Sequence, residues 1–150
     1  MTPPSPFEAR TIELLIEVPR GSFVKRDALG KIEFLSPLPC PFNYGSVPSL
    51  AAPDGDALDV VLLGPRLAVG QRVNAPVRAV VIFVDDGQQD DKLICATAPL
   101  SSADQRLVLG FFRVYALCKR LMNHARGRVG ITHCLGWGDA ARTLDAHSLR

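Results

Sequence analysis

The sequence predicts a single α+β domain whose sheet is small and either mixed or closed. Segments with strand patterns come first, and a helical pattern begins only beyond Pro99. Strands followed by helices, without alternation between the two, argue against a Rossmann-like fold. At 150 residues the chain is long enough for one domain with one apolar core. We therefore treat residues 1–150 as one domain, with a Pro-rich and flexible N-terminus over residues 1–10.

Strand patterns recur through the N-terminal part of the chain. In residues 11–19 apolar and polar side chains alternate, which places Ile12, Leu14, Ile16 and Val18 on one face. Prolines and the Asn43-Tyr44-Gly45 segment that follows them predict an irregular loop before the next strand. The other strand predictions are a short extended piece at 23–26, an alternating strand at 31–35, and apolar strands at 58–63, 77–84 and 93–96.

Two helices are predicted after the strands. Apolar residues recur at helical spacing from Leu107 to Leu121, and Ser102 with Gln105 forms a possible capping box before them. A weaker helix spans residues 139–149, entered through a Gly-Trp-Gly turn at 136–138, in which Trp137 is expected to be a packing anchor. The three histidines, His124, His133 and His147, are expected to be solvated or to cap helices.

Composition excludes several function classes. The net charge is only +2, from 17 basic and 15 acidic residues, and no basic stripe is interleaved with aromatics, so we expect no nucleic-acid partner. No apolar run approaches the ~18 residues of a membrane span, and the N-terminus lacks an apolar signal core, so we expect a cytoplasmic protein without a membrane partner. The four cysteines show no CxxC spacing, which favours buried free thiols.

One acidic cluster precedes the apolar strand at 58–63. Asp54, Asp56 and Asp59 fall within six residues, and Gly55 allows the chain to turn there. Oxygen ligands without a nearby His or Cys select a hard cation such as Mg²⁺. The alternative is a solvated surface turn. Asp59 weakens that alternative, because a carboxylate within an apolar strand is costly to bury unless a positive charge pairs with it.

A second acidic group follows the apolar strand at 77–84. Asp85, Asp86, Asp90 and Asp91 are followed directly by Lys92. Taken alone, this group is typical of a hairpin loop with solvated charges. Two acidic strand ends and a lysine together are similar to a two-metal site that clamps a phosphate and generates hydroxide from water.

The order and spacing of these residues resemble the soluble inorganic pyrophosphatase family (family I). The family's DGDxxDV motif is similar to residues 54–60, its IEIPxGSxxK to residues 16–25, its PxNYG to residues 41–45, its D-x4-D-x-K to residues 85–92, and its FFxxY helix to residues 111–115. The resemblance runs from about Thr11 to the turn at Trp137, which is most of the chain.

The resemblance implies a mainly β fold, an OB-type barrel of five strands with two flanking helices. It implies hydrolysis of pyrophosphate to two phosphates with Mg²⁺, Mn²⁺ being possible, in a homo-oligomer that by family analogy is a hexamer. It assigns metal ligands to Asp54, Asp59, Asp85 and Asp90. It assigns phosphate contacts to Lys25, Tyr44, Lys92 and Tyr115. It assigns activation of the attacking water to Asp56, with Glu17 as a polar partner.

The phosphate side departs from the family pattern. A DR pair is replaced by the Phe34-Leu35-Ser36-Pro37 segment, and Ala116 stands where the family has a lysine. Arg26 and Lys119 are the candidate substitutes. The loss of two cations leaves two alternatives open: a paralogue that binds metal and a phosphate compound or a partner without efficient turnover, and an enzyme for a larger diphosphate. Tyr115 and Tyr44 could equally be packing aromatics, and Lys25 a solvated strand end.

Overall fold

The computed structural model describes residues 10–26, 31–35, 38–51 and 55–148. Asp54, Asp27 and Ser36, and the side chains of Lys25 and Arg26, lie outside the described residues. In chain order the elements are β1 (Thr11–Val18), β2 (Val24–Arg26), β3 (Ile32–Leu35), β4 (Asn43–Ala51), β5 (Ala57–Leu62), β6 (Arg72–Asp85), β7 (Gln88–Gln89), β8 (Lys92–Cys95), α1 (Ser102–Ala125), β9 (His133–Trp137) and α2 (Ala140–Ser148).

Five strands close into a barrel in the order β1-β4-β5-β8-β6, because β6 pairs with β1 as well as with β8. The β5–β8 pair is parallel and the other pairs of the ring are antiparallel. β7 and β9 extend the sheet from β6, while β2 and β3 form a separate hairpin. The predicted five-stranded barrel with two helices is confirmed.

Strand alternation gives the barrel two different faces. The interior is an apolar cluster that includes Leu14, Val60, Val80 and Leu93, and Leu144 of α2 packs with it. The outer face carries a second cluster, in which Val61, Ile94 and Phe83 pack against Phe112 of α1. In this second cluster the rings of Phe42, Phe83, Phe111, Phe112 and Tyr115 have centroids about 5–6 Å apart. Helix α1 therefore covers the outer face of the sheet.

The most important correction concerns β4, which was predicted to be an irregular loop. Residues 43–51 form a strand that lies between β1 and β5, although Gly45 and Pro48 have low strand propensity. Gly45 is required there, since a Cβ at this position would lie 1.8 Å from the carbonyl oxygen of Leu15. Pro48 lies where the register with β5 shifts, so its missing N–H is tolerated.

Other element boundaries also differ from the prediction. β6 begins at Arg72, five residues before the predicted start, because its first residues pair with β1. β7 and β9 were missed, and β9 includes part of the segment predicted as a turn at 136–138. Trp137 itself packs against the outer cluster, as predicted.

Three local predictions on the helical side have different outcomes. The capping box of α1 is formed by Ser101 and Asp104, one residue before the predicted Ser102–Gln105 pair. His147 was expected to be solvated or capping, but it is buried in the last turn of α2. All four cysteines are free, and only Cys118 is not fully buried. Among the described residues, no helix has the length and apolarity required to cross a membrane.

Replacing Gly45 with alanine should destabilise the barrel. The added methyl group would collide with the backbone of β1, and overpacking of this kind costs about 1–3 kcal/mol or more. The measurement is the free energy of unfolding from urea denaturation. Gly110→Ala is the matched control, because its Cβ would meet nothing within 4 Å and alanine in a helix interior should stabilise by about 0.5–1 kcal/mol. Equal effects of both substitutions would contradict the close approach of β1 and β4.

Candidate active site

The candidate site lies on the outer face of the barrel, beside the aromatic cluster that α1 covers. Along β5, Asp59 shares the face of Val61, and along β8, Lys92 shares the face of Ile94. The parallel register pairs Asp59 directly with Lys92, so the two side chains are neighbours across the strands. On β4, Tyr44 also packs with the outer cluster. The alternation that buries apolar residues thus also brings the polar side chains to one place.

Lys92 is the centre of this group. Its side chain is only 3% exposed, and its Nζ lies 2.7 Å from Asp59 Oδ2 and 2.7 Å from Asp90 Oδ2. The same ammonium lies 5.6 Å from the centre of the Tyr44 ring and 5.5 Å from that of Phe83, within the range of cation–π attraction. Burial alone would lower the pKa of Lys92, but the neighbouring Asp59, Tyr44 and Asp90 raise it well above its usual value. Lys92 therefore stays charged.

The carboxylates of the group carry more negative charge than one lysine neutralises. Burial raises the pKa of Asp90 to about 6. The positive charge of Lys92 opposes this rise, and the negative charge of Asp59 adds to it. A cation bound here would favour the ionised carboxylate and so oppose the rise. Asp59 and Asp90, predicted as metal ligands from separate stretches of sequence, are therefore brought together as expected.

The two tyrosines stay protonated in this setting. Burial raises the pKa of Tyr115 to about 12, and the charges of Asp90, Asp85 and Asp59 add to the rise while Lys92 opposes it. Burial, followed by the charge of Asp59, likewise raises the pKa of Tyr44 well above its usual value. Both phenols can thus donate hydrogen bonds at neutral pH. The ring of Tyr115 packs in the aromatic cluster, so the expectation of a packing aromatic is confirmed, while its phosphate contact stays a prediction.

Asp85 lies at the end of β6 and has partners of its own. Its Oδ1 accepts hydrogen bonds from Asn123 Nδ2 at 3.0 Å and from Thr132 Oγ1 at 3.3 Å. Its Oδ2 lies 3.3 Å from the Nζ of Lys119, a lysine that is itself buried. Partial burial would raise the pKa of Asp85, but the bond from Asn123 and the charge of Lys119 outweigh it and lower the pKa. Asp85 is therefore held ionised by the protein itself.

The remaining acids of the 85–91 stretch have structural roles. Asp91 was expected to be a solvated loop residue, but it is buried, where Oδ1 accepts from the backbone N–H of Phe83 at 3.2 Å and Oδ2 from Gln89 Nε2 at 2.7 Å. Asp86 adopts a positive φ of 49° and accepts from the N–H of Gly130. Both residues stabilise the β6–β8 connection.

Other residues assigned from sequence are described only in part. Asp56 is exposed in the turn before β5, and Glu17 is half-buried on β1. Asp54 and the side chain of Lys25 fall outside the described residues, so their assignments stay predictions. Within the described ranges no three His, Cys, Asp or Glu side chains are arranged to hold a metal ion. A complete set of ligands would need Asp54.

Sequence reasoning named Lys119 only as a possible substitute cation and missed Asn123 and Thr132. The sequence of helix α1 contained a signal for Lys119 and Asn123. The buried residues of this helix recur every three or four positions, and the last two of them are polar: Val108, Phe112, Ala116, Lys119 and Asn123. Polar residues on the buried stripe of a helix need partners. Thr132 carried no such signal, because it lies in a connection without periodicity.

Comparison with known proteins agrees with this geometry. The family model for inorganic pyrophosphatase matches residues 14–109. A relative named inorganic pyrophosphatase from Neisseria meningitidis serogroup B is 32% identical over 91% of this chain and 85% of its own length. Another of that name, from Haemophilus influenzae, is 37% identical over 63% of this chain and 58% of its own length. The crystal structure of an inorganic pyrophosphatase from Neisseria gonorrhoeae has a TM-score of 0.73 and 26% identity, covering 99% of this chain and 94% of that one.

Replacing Lys92 with methionine should destabilise the metal-free protein, because Asp59 and Asp90 would lose the ammonium between them. Breaking a buried pair costs about 3–5 kcal/mol, and the loss here should be smaller because both carboxylates are partly exposed. Urea denaturation in the presence of a chelator measures it. The double variant Lys92→Met/Asp90→Asn should recover part of the loss, since it removes one of the two repelling charges. A double variant no more stable than Lys92→Met alone would show that the electrostatic explanation is wrong.

Proposed function

Because this chain belongs to the soluble inorganic pyrophosphatase family, we propose that it hydrolyses inorganic pyrophosphate to two phosphates in a reaction that depends on Mg²⁺. The observation that carries the proposal is the group formed by Asp59, Lys92 and Asp90 at the family's motif positions. Asp59 and Lys92 lie on two parallel strands, and Asp90 lies two residues before Lys92. The alignment with the Haemophilus relative spans only 58% of that protein's length, so the activity is inferred from the site together with the family.

The donor set fits a hard divalent cation. Carboxylate oxygens are the ligands that Mg²⁺ prefers, and Mn²⁺ accepts the same ligands. Asp59 and Asp90 lie on either side of one ammonium, and burial raises the pKa of Asp90, with the charge of Asp59 adding to the rise. We propose that Asp54, Asp59, Asp85 and Asp90 hold the metal. Bound metal would supply Lewis acidity and lower the pKa of coordinated water.

The chain's own residues supply the rest of the chemistry. Asp56, which is exposed in the turn before β5, would take a proton from the attacking water. The resulting hydroxide would form the new P–O bond while the bridging P–O bond breaks. Lys92 and the neutral phenols of Tyr44 and Tyr115 donate hydrogen bonds to phosphate oxygens and stabilise the negative charge of the leaving phosphate. Lys25 would add a second ammonium from the β2–β3 hairpin, and Glu17 a polar partner from β1.

Ala116 is buried in the aromatic cluster and can contribute no charge. The metal-binding residues are unaffected by this departure from the family pattern, and no observation among the described residues favours a paralogue without turnover. Pyrophosphate therefore remains the proposed substrate. Any reduction in the rate of hydrolysis should come from weaker contacts to phosphate oxygens and not from loss of metal ligands.

Phosphate release from pyrophosphate, measured with and without Mg²⁺, tests the function. Wild-type protein should release phosphate only with the metal, and Asp56→Asn should lower kcat by about 10²-fold or more, since a general base contributes about 10²–10⁴-fold. Asp145→Asn is the matched control, because this exposed carboxylate pairs with Arg10 and lies on α2, whose Leu144 packs with the interior cluster. Its activity should equal that of the wild type.

Protein that binds Mg²⁺ but releases no phosphate would contradict the proposal. A panel of organic diphosphates, assayed at the same metal concentration, would then show whether the substrate is a larger diphosphate. Release from one of these and not from pyrophosphate would assign the site to that compound.

Metal affinity should also depend on pH through Asp90. Its pKa of about 6 lies above the ordinary value, so its protonated form competes with the metal below that pH. We expect the Mg²⁺ dissociation constant to change little above pH 7 and to rise about tenfold between pH 7 and pH 5, as the proton must be released before the metal binds. Isothermal titration calorimetry in buffers of different ionisation enthalpy measures both the affinity and the released proton. Constant affinity across this range would rule out Asp90 as a ligand with that pKa.

A further inference from the structure

We propose that Lys119 acts as a built-in counter-ion of Asp85 that weakens divalent metal binding at the acidic site and so sets the metal affinity of this chain. The proposal rests on the proposed function in one respect, that the site binds Mg²⁺. In this proposal Lys119 affects the affinity of the site for Mg²⁺ through Asp85. It makes no contact with the reacting atoms.

The geometry around Asp85 is the first argument. Oδ1 accepts from Asn123 and Thr132, while Oδ2 lies 3.3 Å from Lys119 Nζ. A carboxylate has about four lone-pair positions, and three of them are used by these contacts. A metal at Asp85 must therefore share Oδ2 with an ammonium or displace it.

The surroundings fix this ammonium in place. The Lys119 side chain is 10% exposed, whereas that of Asp85 is 24% exposed. Thr132 Oγ1, which donates to Asp85, also accepts from Asn123 Nδ2 and from the N–H of Asp86, each at 3.0 Å. Lys119 thus projects from a buried face of α1 into a network in which Asp85, Thr132 and the amide nitrogen of Asn123 are already bonded. Moving the ammonium away would require it to leave a partly desolvated position.

Charge gives the sign of the effect. A positive charge within a few ångströms of a bound divalent cation repels it, and the repulsion is weakly screened where solvent is excluded. Removing that charge should therefore tighten metal binding, provided that Asp85 keeps its place. Asn123 and Thr132 remain to hold it.

The experiment measures Mg²⁺ binding by calorimetry at pH 7.5, without substrate, in the full chain and three variants. Lys119→Met and Lys119→Gln should each bind Mg²⁺ about tenfold more tightly than the wild type, because both remove the positive charge. Only Lys119→Gln keeps a hydrogen-bond donor, so the pair separates the effect of the charge from that of the hydrogen bond. Lys119→Arg keeps the charge and should retain the wild-type affinity. Arg120→Met, which removes an exposed charge from the adjacent position of the helix, should change the affinity less than twofold, because water and salt screen it.

Each outcome decides between the alternatives. Tighter binding in both uncharged variants, with wild-type affinity in Lys119→Arg, supports the proposal. If Lys119→Met binds more weakly while Lys119→Gln binds as the wild type does, Lys119 only positions Asp85 by a hydrogen bond, and the proposal is overturned. Unchanged affinity in all variants, or no Mg²⁺ binding in any of them, also overturns it. Tighter binding in the uncharged variants of a protein that releases no phosphate would refute the proposed function alone.

Discussion

The structure of the site depends on one buried ammonium placed between two carboxylates. Lys92 can remain charged at 3% exposure only because Asp59 and Asp90 each lie 2.7 Å from its Nζ. The parallel register of β5 and β8 makes the contact with Asp59, and the two-residue step from Asp90 to Lys92 makes the other. The position of the site on the barrel follows from this arrangement, since the observed register places Asp59 directly beside Lys92.

Helix α1 has a structural and an electrostatic role. Its aromatic residues cover the outer face of the sheet beside Lys92, which excludes water and strengthens every charge interaction next to them. The same burial keeps Tyr44 and Tyr115 protonated, so that they can serve as hydrogen-bond donors. The same outer face of the sheet therefore packs against α1 and carries the candidate site. A substitution in the aromatic cluster would alter both the stability of the fold and the protonation of the two tyrosines.

Sequence reasoning succeeded best for elements with a clear hydrophobic period and for residues that match the spacing of a known motif. The apolar strands, the long helix and the convergence of Asp59, Asp90 and Lys92 were all predicted, the last through motif spacing. β4 was missed because its stability comes from pairing on both edges and from a glycine that permits close approach, and neither is visible in local propensity. The burial of Asp91 was missed for a similar reason, since its partners are a backbone N–H and a side chain of the fold itself.

The position of the second cation follows from how α1 packs. Residue 116 lies in the aromatic cluster, whereas residue 119 lies about 4.5 Å further along the helix axis and reaches Asp85. The buried ammonium groups of Lys92 and Lys119 contact three carboxylates, those of Asp59, Asp90 and Asp85, and each offsets part of the repulsion among them. A divalent cation at these carboxylates would approach one ammonium or the other. Lys119, the less buried of the two, is the one whose carboxylate is also held by neutral donors.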